Sequence, residues 1–211
     1  NYQVGTTNVK NTSVFFYGTT GQTAFLRASS VTDTELAMSR SLSYKYDLTS
    51  GELALSTITN GAIDNLVDLT SDTWYYGSTK GEEIANYAYN YSLKKTSTGA
   101  ADRSVMKSTT VYLYKEGSNL RANEGATSED AMTVSKTFKA YDIGDIVDIT
   151  AGADWNLQSA TSYYTGMGKG DEISNYSFNY QVGTTNVKNT SVFFYGNSCL
   201  RAGSVDDTEL A

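Results

Sequence analysis

Asp142, Asp145 and Asp148 crowd into the stretch DIGDIVD. Carboxylates this close together in a loop can ligate calcium, which takes oxygen donors. The spacing is not that of an EF-hand, and no matching trio occurs earlier in the chain. Aspartates at a turn or strand edge are therefore the reading the sequence favours, with calcium as the sharper alternative. Two further acidic stretches, KGEE (80–83) and GKGDE (168–172), resemble each other. Each is glycine-rich with paired acids, as in a charged hairpin turn. A calcium or salt-bridge role is the alternative.

Other chemistry is thin. The chain has no histidine, no proline and one cysteine, Cys199. Without histidine there is no Ser–His or Cys–His pair to activate a nucleophile. A carboxylate pair for glycoside cleavage is formally available, but no glycine loop for phosphate is present. One cysteine excludes an intrachain disulfide. Cys199 reads as an incidental free thiol rather than a nucleophile. Trp74 and Trp155 each read as a core cap, with sugar stacking the sharper alternative. No catalytic residue and no cofactor is expected, and the chain does not read as an enzyme.

Four N-x-S/T sequons stand at Asn11, Asn90, Asn175 and Asn189. They are glycosylation candidates if the chain takes a secretory route. Net charge is −7, with no Lys/Arg cluster, which argues against nucleic acid as a partner. No run of 18 apolar residues is present, so no membrane span is expected. The start carries no basic-then-apolar signal, as in a mature or internal stretch.

The elements that must position these residues are set by repetition. NYQVGTTNVKNTSVFFYG occurs at 1–18 and again, unchanged, at 179–196. A weaker echo lies between. GEEIANYAYNY (81–91) matches GDEISNYSFNY (170–180), an offset of 89. SVFFYG (13–18) matches TVYLYK (110–115), after an eight-residue insertion in the second unit. Leu-Arg-Ala recurs at 26–28, 120–122 and 200–202. SYKYD (43–47) matches TFKAYD (137–142), whose extra Ala140 suggests a β-bulge. Cys199 aligns with Phe25 and Asn119. The units are thus 1–89, 90–178 and the start of a further copy at 179–211. A recurring Arg27, Arg121 and Arg201 predicts an ion pair with a nearby acid, Glu35 or Glu209.

The residue types favour strands. The chain carries 17 tyrosines, with many Thr, Ser and Asn. In IANYAYNYSL (84–93), Tyr87, Tyr89, Tyr91 and Leu93 share one parity, and Asn86, Ala88, Asn90 and Ser92 the other. That alternation predicts a half-buried strand with an aromatic inner face. Its copy at 173–182 repeats it. Asn1 falls in the middle of this pattern, so a preceding unit would supply its first half. In SVFFY, Val14 and Phe16 become Val111 and Leu113, both apolar, whereas Phe15 and Tyr17 become tyrosines. Val14 and Phe16 are assigned to the core, Phe15 and Tyr17 to a face near water. Residues 37–48 predict another strand, with more at 52–58, 63–69 and 73–77 and homologues at 145–150, 153–158 and 161–165. Turns are expected at Asn11 and Asn189, ahead of the SVFFY strands, and at Gly77–Gly81 and Gly166–Gly170.

Together these readings predict an all-β chain of two tandem Ig-like β-sandwich modules plus the start of a third repeat. The function they imply is structural: a segment of an extracellular or cell-surface fibre, stalk or adhesin shaft, with strands passed between modules. Its partners would be copies of itself or neighbouring repeats. The alternative is a multivalent, lectin-like repeat whose exposed aromatics read glycans.

Overall fold

The structure is a computed structural model. It describes residues 4–5, 7, 9–18, 25–45, 58, 68–94, 103–139, 142–146 and 156–205. The described chain is all-β: thirteen strands, every pairing antiparallel, and no helix beyond single 3-10 turns. It divides into two compact units, Asn1–Lys107 and Ser108–Ala211.

The first unit is a meander. Its strands are β1 (Asn11–Tyr17), β2 (Leu26–Arg27), β3 (Met38–Lys45), β4 (Leu69–Tyr76) and β5 (Ile84–Lys94). They hydrogen-bond in the order β2-β1-β3-β4-β5. The glycine-containing turn after Tyr76 makes β4 and β5 a hairpin, as the sequence predicts. Strand β6 (Arg103–Tyr114) begins in this unit and runs into the second. There β7 (Leu120–Arg121), β8 (Met132–Phe138), β9 (Leu157–Tyr164), β10 (Ile173–Tyr180) and β11 (Val187–Val192) follow. The order is β6-β8-β9-β10-β11, with β7 beside β6. A short pair, β12 (Phe194–Tyr195) and β13 (Leu200–Arg201), completes the set.

Paired residues on neighbouring strands share a face, so register defines the core. In the first unit Val14 pairs with Leu42, and Leu42 with Asp72. Phe16 pairs with Arg40, and Arg40 with Trp74. Val14, Phe16, Phe25, Leu42, Tyr44, Ile58 and Leu69 form the buried cluster, with Trp74 and Tyr91 against it. The second unit buries their equivalents: Val111, Leu113, Phe138, Ile146 and Leu157. The assignment of Val14 and Phe16 to the core holds, and Phe15 is 46% exposed.

The repeat is a repeat of hydrogen bonds as well as of residues. Gly18 N–H donates to Ala37 O at 3.1 Å, and Lys115 N–H to Ala131 O at 3.1 Å. Lys45 N–H donates to Asp68 O, and Lys139 N–H to Asn156 O, both at 2.7 Å. Ser41 Oγ and Tyr75 Oη lie 3.3 Å apart; Ser135 Oγ and Tyr163 Oη lie 3.2 Å apart. Irregularities repeat too. The register shifts at Ser43/Tyr44 and at Thr137/Phe138. It shifts at Phe16/Tyr17 and at Leu113/Tyr114. Asn86 and Asn175 are the extra residues where β5 meets β4 and β10 meets β9. Conserving a bulge conserves the bend and twist it imposes. Ala140, where the sequence suggests a bulge, lies outside the described residues.

Two expectations change. The turns expected at Asn11 and Asn189 are strand instead: β1 opens at Asn11, and Asn189 lies inside β11. The polar parity of β5 is covered as well as the aromatic one, with Asn86 8% and Ala88 3% exposed. On a strand with neighbours, small side chains are shaded by larger ones across the ladder. Of the strands expected at 52–58, 63–69, 145–150 and 153–158, residues 52–57, 63–67, 147–150 and 153–155 lie outside the described residues, as do Asn1–Gln3. Strands β4 and β9 stand where 73–77 and 161–165 predict them.

Candidate functional site

Three built features stand out: a charged pair in the first core, a carboxylate clamp in each unit, and an open strand edge.

The charged pair is Arg40 and Asp72. Arg40 Nε donates to Asp72 Oδ1 at 2.7 Å, and Nη2 to Oδ2 at 2.8 Å. The two side chains are 6% and 2% exposed. Both lie on core parity, because Arg40 shares a face with Leu42 and Tyr44, and Asp72 with Trp74. The guanidinium lies over the Trp74 ring at 4.6 Å and near Phe25 at 5.6 Å. Trp74 in turn stacks on Tyr87, centroids 5.9 Å apart, and meets Phe25 edge-on at 5.3 Å. Trp74 is therefore core, as the plainer reading has it. Burial pushes the Tyr44 and Tyr91 hydroxyls up to about 12. The Asp72 carboxylate reinforces this, and Arg40 opposes it. A fork-to-fork pair flanked by neutral phenols and rings is a structural device. It offers no nucleophile and no open position.

The clamp explains the repeated acids. Glu83 accepts Gly81 N–H at 2.6 Å on Oε2 and Met38 N–H at 3.4 Å on Oε1. Glu172 accepts Gly170 N–H and Met132 N–H, both at 3.0 Å, through the same two oxygens. One carboxylate thus ties its own hairpin to the start of a strand 45 or 40 residues away. KGEE and GKGDE lie in the β4–β5 and β9–β10 hairpin turns, as the plainer reading has it, and Glu83 and Glu172 add this tie. A side chain at Gly77 would place its Cβ 2.7 Å from Glu83 Cα, so this turn requires glycine.

The calcium candidates are only partly in view. Asp142 Oδ1 accepts Gly144 N–H at 2.8 Å and caps the 3-10 turn Ile143–Asp145. Asp145 is on that turn; its side chain and Asp148 lie outside the described residues. Among the described residues no three acidic, His or Cys side chains converge on one point. Asp130 is an exposed turn acid, held below the usual carboxylate range by the Thr127 N–H it accepts, assisted by the Thr127 hydroxyl.

Among the described residues neither Arg27 nor Arg201 forms an ion pair with Glu35, and Glu209 lies outside those residues. Arg27 Nη1 donates to Ile58 O at 2.9 Å, and Arg201 Nη2 to Asn175 Oδ1 at 2.7 Å. Among the described residues, Arg40–Asp72 is the ion pair present. What the triplet fixes is a corner. Arg27, Arg121 and Arg201 share φ near −70° and ψ near 155°, and each opens a single 3-10 turn. Each pairs with the same strand position: Phe16, Leu113 and Phe194.

Neither a protein-family model, nor a curated protein, nor a solved structure matches this chain.

The sequons are unequally placed. Asn189 is exposed, and its Oδ1 accepts from Asn179 Nδ2 at 2.7 Å. Asn11, Asn90 and Asn175 are half-buried on strands. Cys199 is exposed and sits at φ 52°, in the left-handed region. Its counterpart Asn119 has φ 51°. Asparagine tolerates that conformation far better than cysteine.

The third feature is a contrast between identical sequences. NTSVFFY in β1 buries Val14 to 1% and Phe16 to 0%. In the second copy Val192 is 40% and Phe194 58% exposed, and every residue of β11 is exposed. Sequence alone could not separate these two, because the sequences are the same.

Proposed function

We propose that this chain is a structural stretch of an extracellular tandem-repeat fibre, stalk or adhesin shaft. In this reading its modules are small Ig-like β-sandwich units that share strands across repeat boundaries. One observation carries the reading. The two units keep the same bulges, the same carboxylate clamp and the same Leu-Arg corner, while their core side chains diverge. What persists is backbone architecture, which is what an array must reproduce from unit to unit. A binding or catalytic site would instead persist as a set of side chains. Localisation outside the cell gives the exposed Asn189 sequon its use as a glycan acceptor.

Electron microscopy of the purified chain joined head to tail in several copies tests the proposal. Rods that lengthen in proportion to copy number support it. Compact particles of constant length, together with specific binding on a glycan array, would favour a multivalent lectin.

A further inference from the structure

We propose that the outer edge of β11 is a docking edge for one particular strand. That strand has the sequence pattern of Met38–Lys45 and is supplied by a further repeat of this unit. The inference rests on the tandem-array reading and names the partner that reading leaves open.

The first copy of the sequence shows what covers it. β1 pairs with β3 through Asn11↔Lys45, Thr12↔Tyr44, Ser13↔Ser43, Val14↔Leu42, Phe15↔Ser41 and Phe16↔Arg40. Phe16 O also accepts Ser39 Oγ at 3.4 Å. In the second copy β11 pairs with β10 through Thr190↔Phe178 and Val192↔Tyr176, and stands at the end of its ladder. Phe193 N–H donates to Asn175 O at 3.2 Å. Backbone groups on a strand alternate between its two edges. Phe193 therefore faces β10, and Val192 and Phe194 turn their N–H and C=O outward. These are the positions of Val14 and Phe16. Phe16 pairs with both Arg27 of β2 and Arg40 of β3, so those two strands flank β1. In the second copy the β2 equivalent, β13, is already in place beside Phe194 and Tyr195. Among the described residues, the edge of β11 with no partner strand is thus the β3 edge.

The linker is matched as well. VTDTELA (31–37) leads into Met38, and VDDTELA (205–211) has the same length from the same corner. Docking would pair Asn189 through Phe194 with the incoming strand in the β1·β3 register. It would cover Val192 and Phe194 as Val14 and Phe16 are covered. Backbone ladders supply affinity in such strand addition, and alternate side chains supply register.

The test extends the full chain after Ala211 by the sequence of Met38–Leu48. Amide hydrogen exchange is then followed by NMR. Slowing of exchange at Thr190, Val192 and Phe194 by about tenfold or more is expected. A second extension with serine in place of Leu42 and Tyr44 keeps the backbone but removes the core contacts, and should lose most of that protection. Unchanged exchange in the first extension overturns the proposal. So does equal protection by both extensions. So does concentration-dependent protection of the unextended chain, which would assign the edge to its own copy. Rods in the microscope with no such protection would leave the array reading standing and remove this edge. Protection without rods would do the reverse.

Discussion

The two units solve one packing problem with different charges. In the first, the core face carries Arg40 and Asp72 beside Leu42, locked together at 2.7 and 2.8 Å. In the second, the same positions hold Val134, Ala160 and Lys136. Lys136 is 8% exposed and pairs in register with Val111 and Ala160. The backbone hydrogen bonds around these sites are nearly superimposable in pattern. The ladder therefore tolerates wide variation in core polarity, provided that each unit is consistent within itself. A buried ion pair is weak evidence of stability, since losing both charges is often neutral while losing one is severe.

That contrast is most easily broken at Asp72. Asp72→Ala should cost the first unit about 3–5 kcal/mol, because it strands a buried guanidinium. Adding Arg40→Val, which copies the second unit at both positions, should restore most of that loss. Urea unfolding of the single and double variants checks both statements, and equal instability of the two would refute the account.

Of comparable size is a test of the identical segments. Phe16→Ala should destabilise by about 3–5 kcal/mol, as for a buried aromatic. Phe194→Ala, in the same local sequence, should stay within about 0.5 kcal/mol, as for an exposed site. The same denaturation assay reads both.

The carboxylate clamps come next. Glu83→Ala and Glu172→Ala should each cost about 1–3 kcal/mol, since each leaves two N–H groups without their acceptor. Glu→Gln should recover part of this by keeping one acceptor oxygen. Unequal costs in the two units would show that the clamp is not equivalent in both.

Alkaline pH separates the units by titration. Tyr44 and Tyr91 are raised from 10.0 to about 12 in the fold. A raised folded-state value means the neutral phenol is favoured by folding. The associated stability is intact below pH 10 and falls as pH climbs towards 12. The second unit has Phe138 where the first has Tyr44. Tyr44→Phe should therefore flatten the alkaline limb of melting temperature against pH.

The smallest effect is at Cys199. Cys199→Asn copies Asn119 at a left-handed position and should stabilise by roughly 0.5–1 kcal/mol. Calorimetry of the variant measures it.

How much of this was legible in the sequence follows physical range. Parity placed Val14 and Phe16 in the core and found β5 and β10, because alternation is local. The Leu-Arg-Ala corner was visible as a repeat, but its arginine partners were not. They are a carbonyl 31 residues away and an amide 26 away. The Glu83–Met38 contact is likewise invisible until β3 and the hairpin meet. The Arg40–Asp72 pair does leave a signal in the sequence: Arg40 shares parity with Met38, Leu42 and Tyr44, and Asp72 shares parity with Trp74. Opposite charges on two interior faces would have suggested the pair.

The Arg40–Asp72 pair also bears on how a repetitive chain folds faithfully. Near-copies invite a strand of one unit to settle in the slot of the other. If β3 paired with β9 instead of β4, Arg40 would lie buried opposite Ser162, with Ala160 where its counter-ion belongs. That mistake would cost several kcal/mol. The charge pair thus acts as a proofreading mark, rejecting an exchange that the matching backbones would otherwise permit.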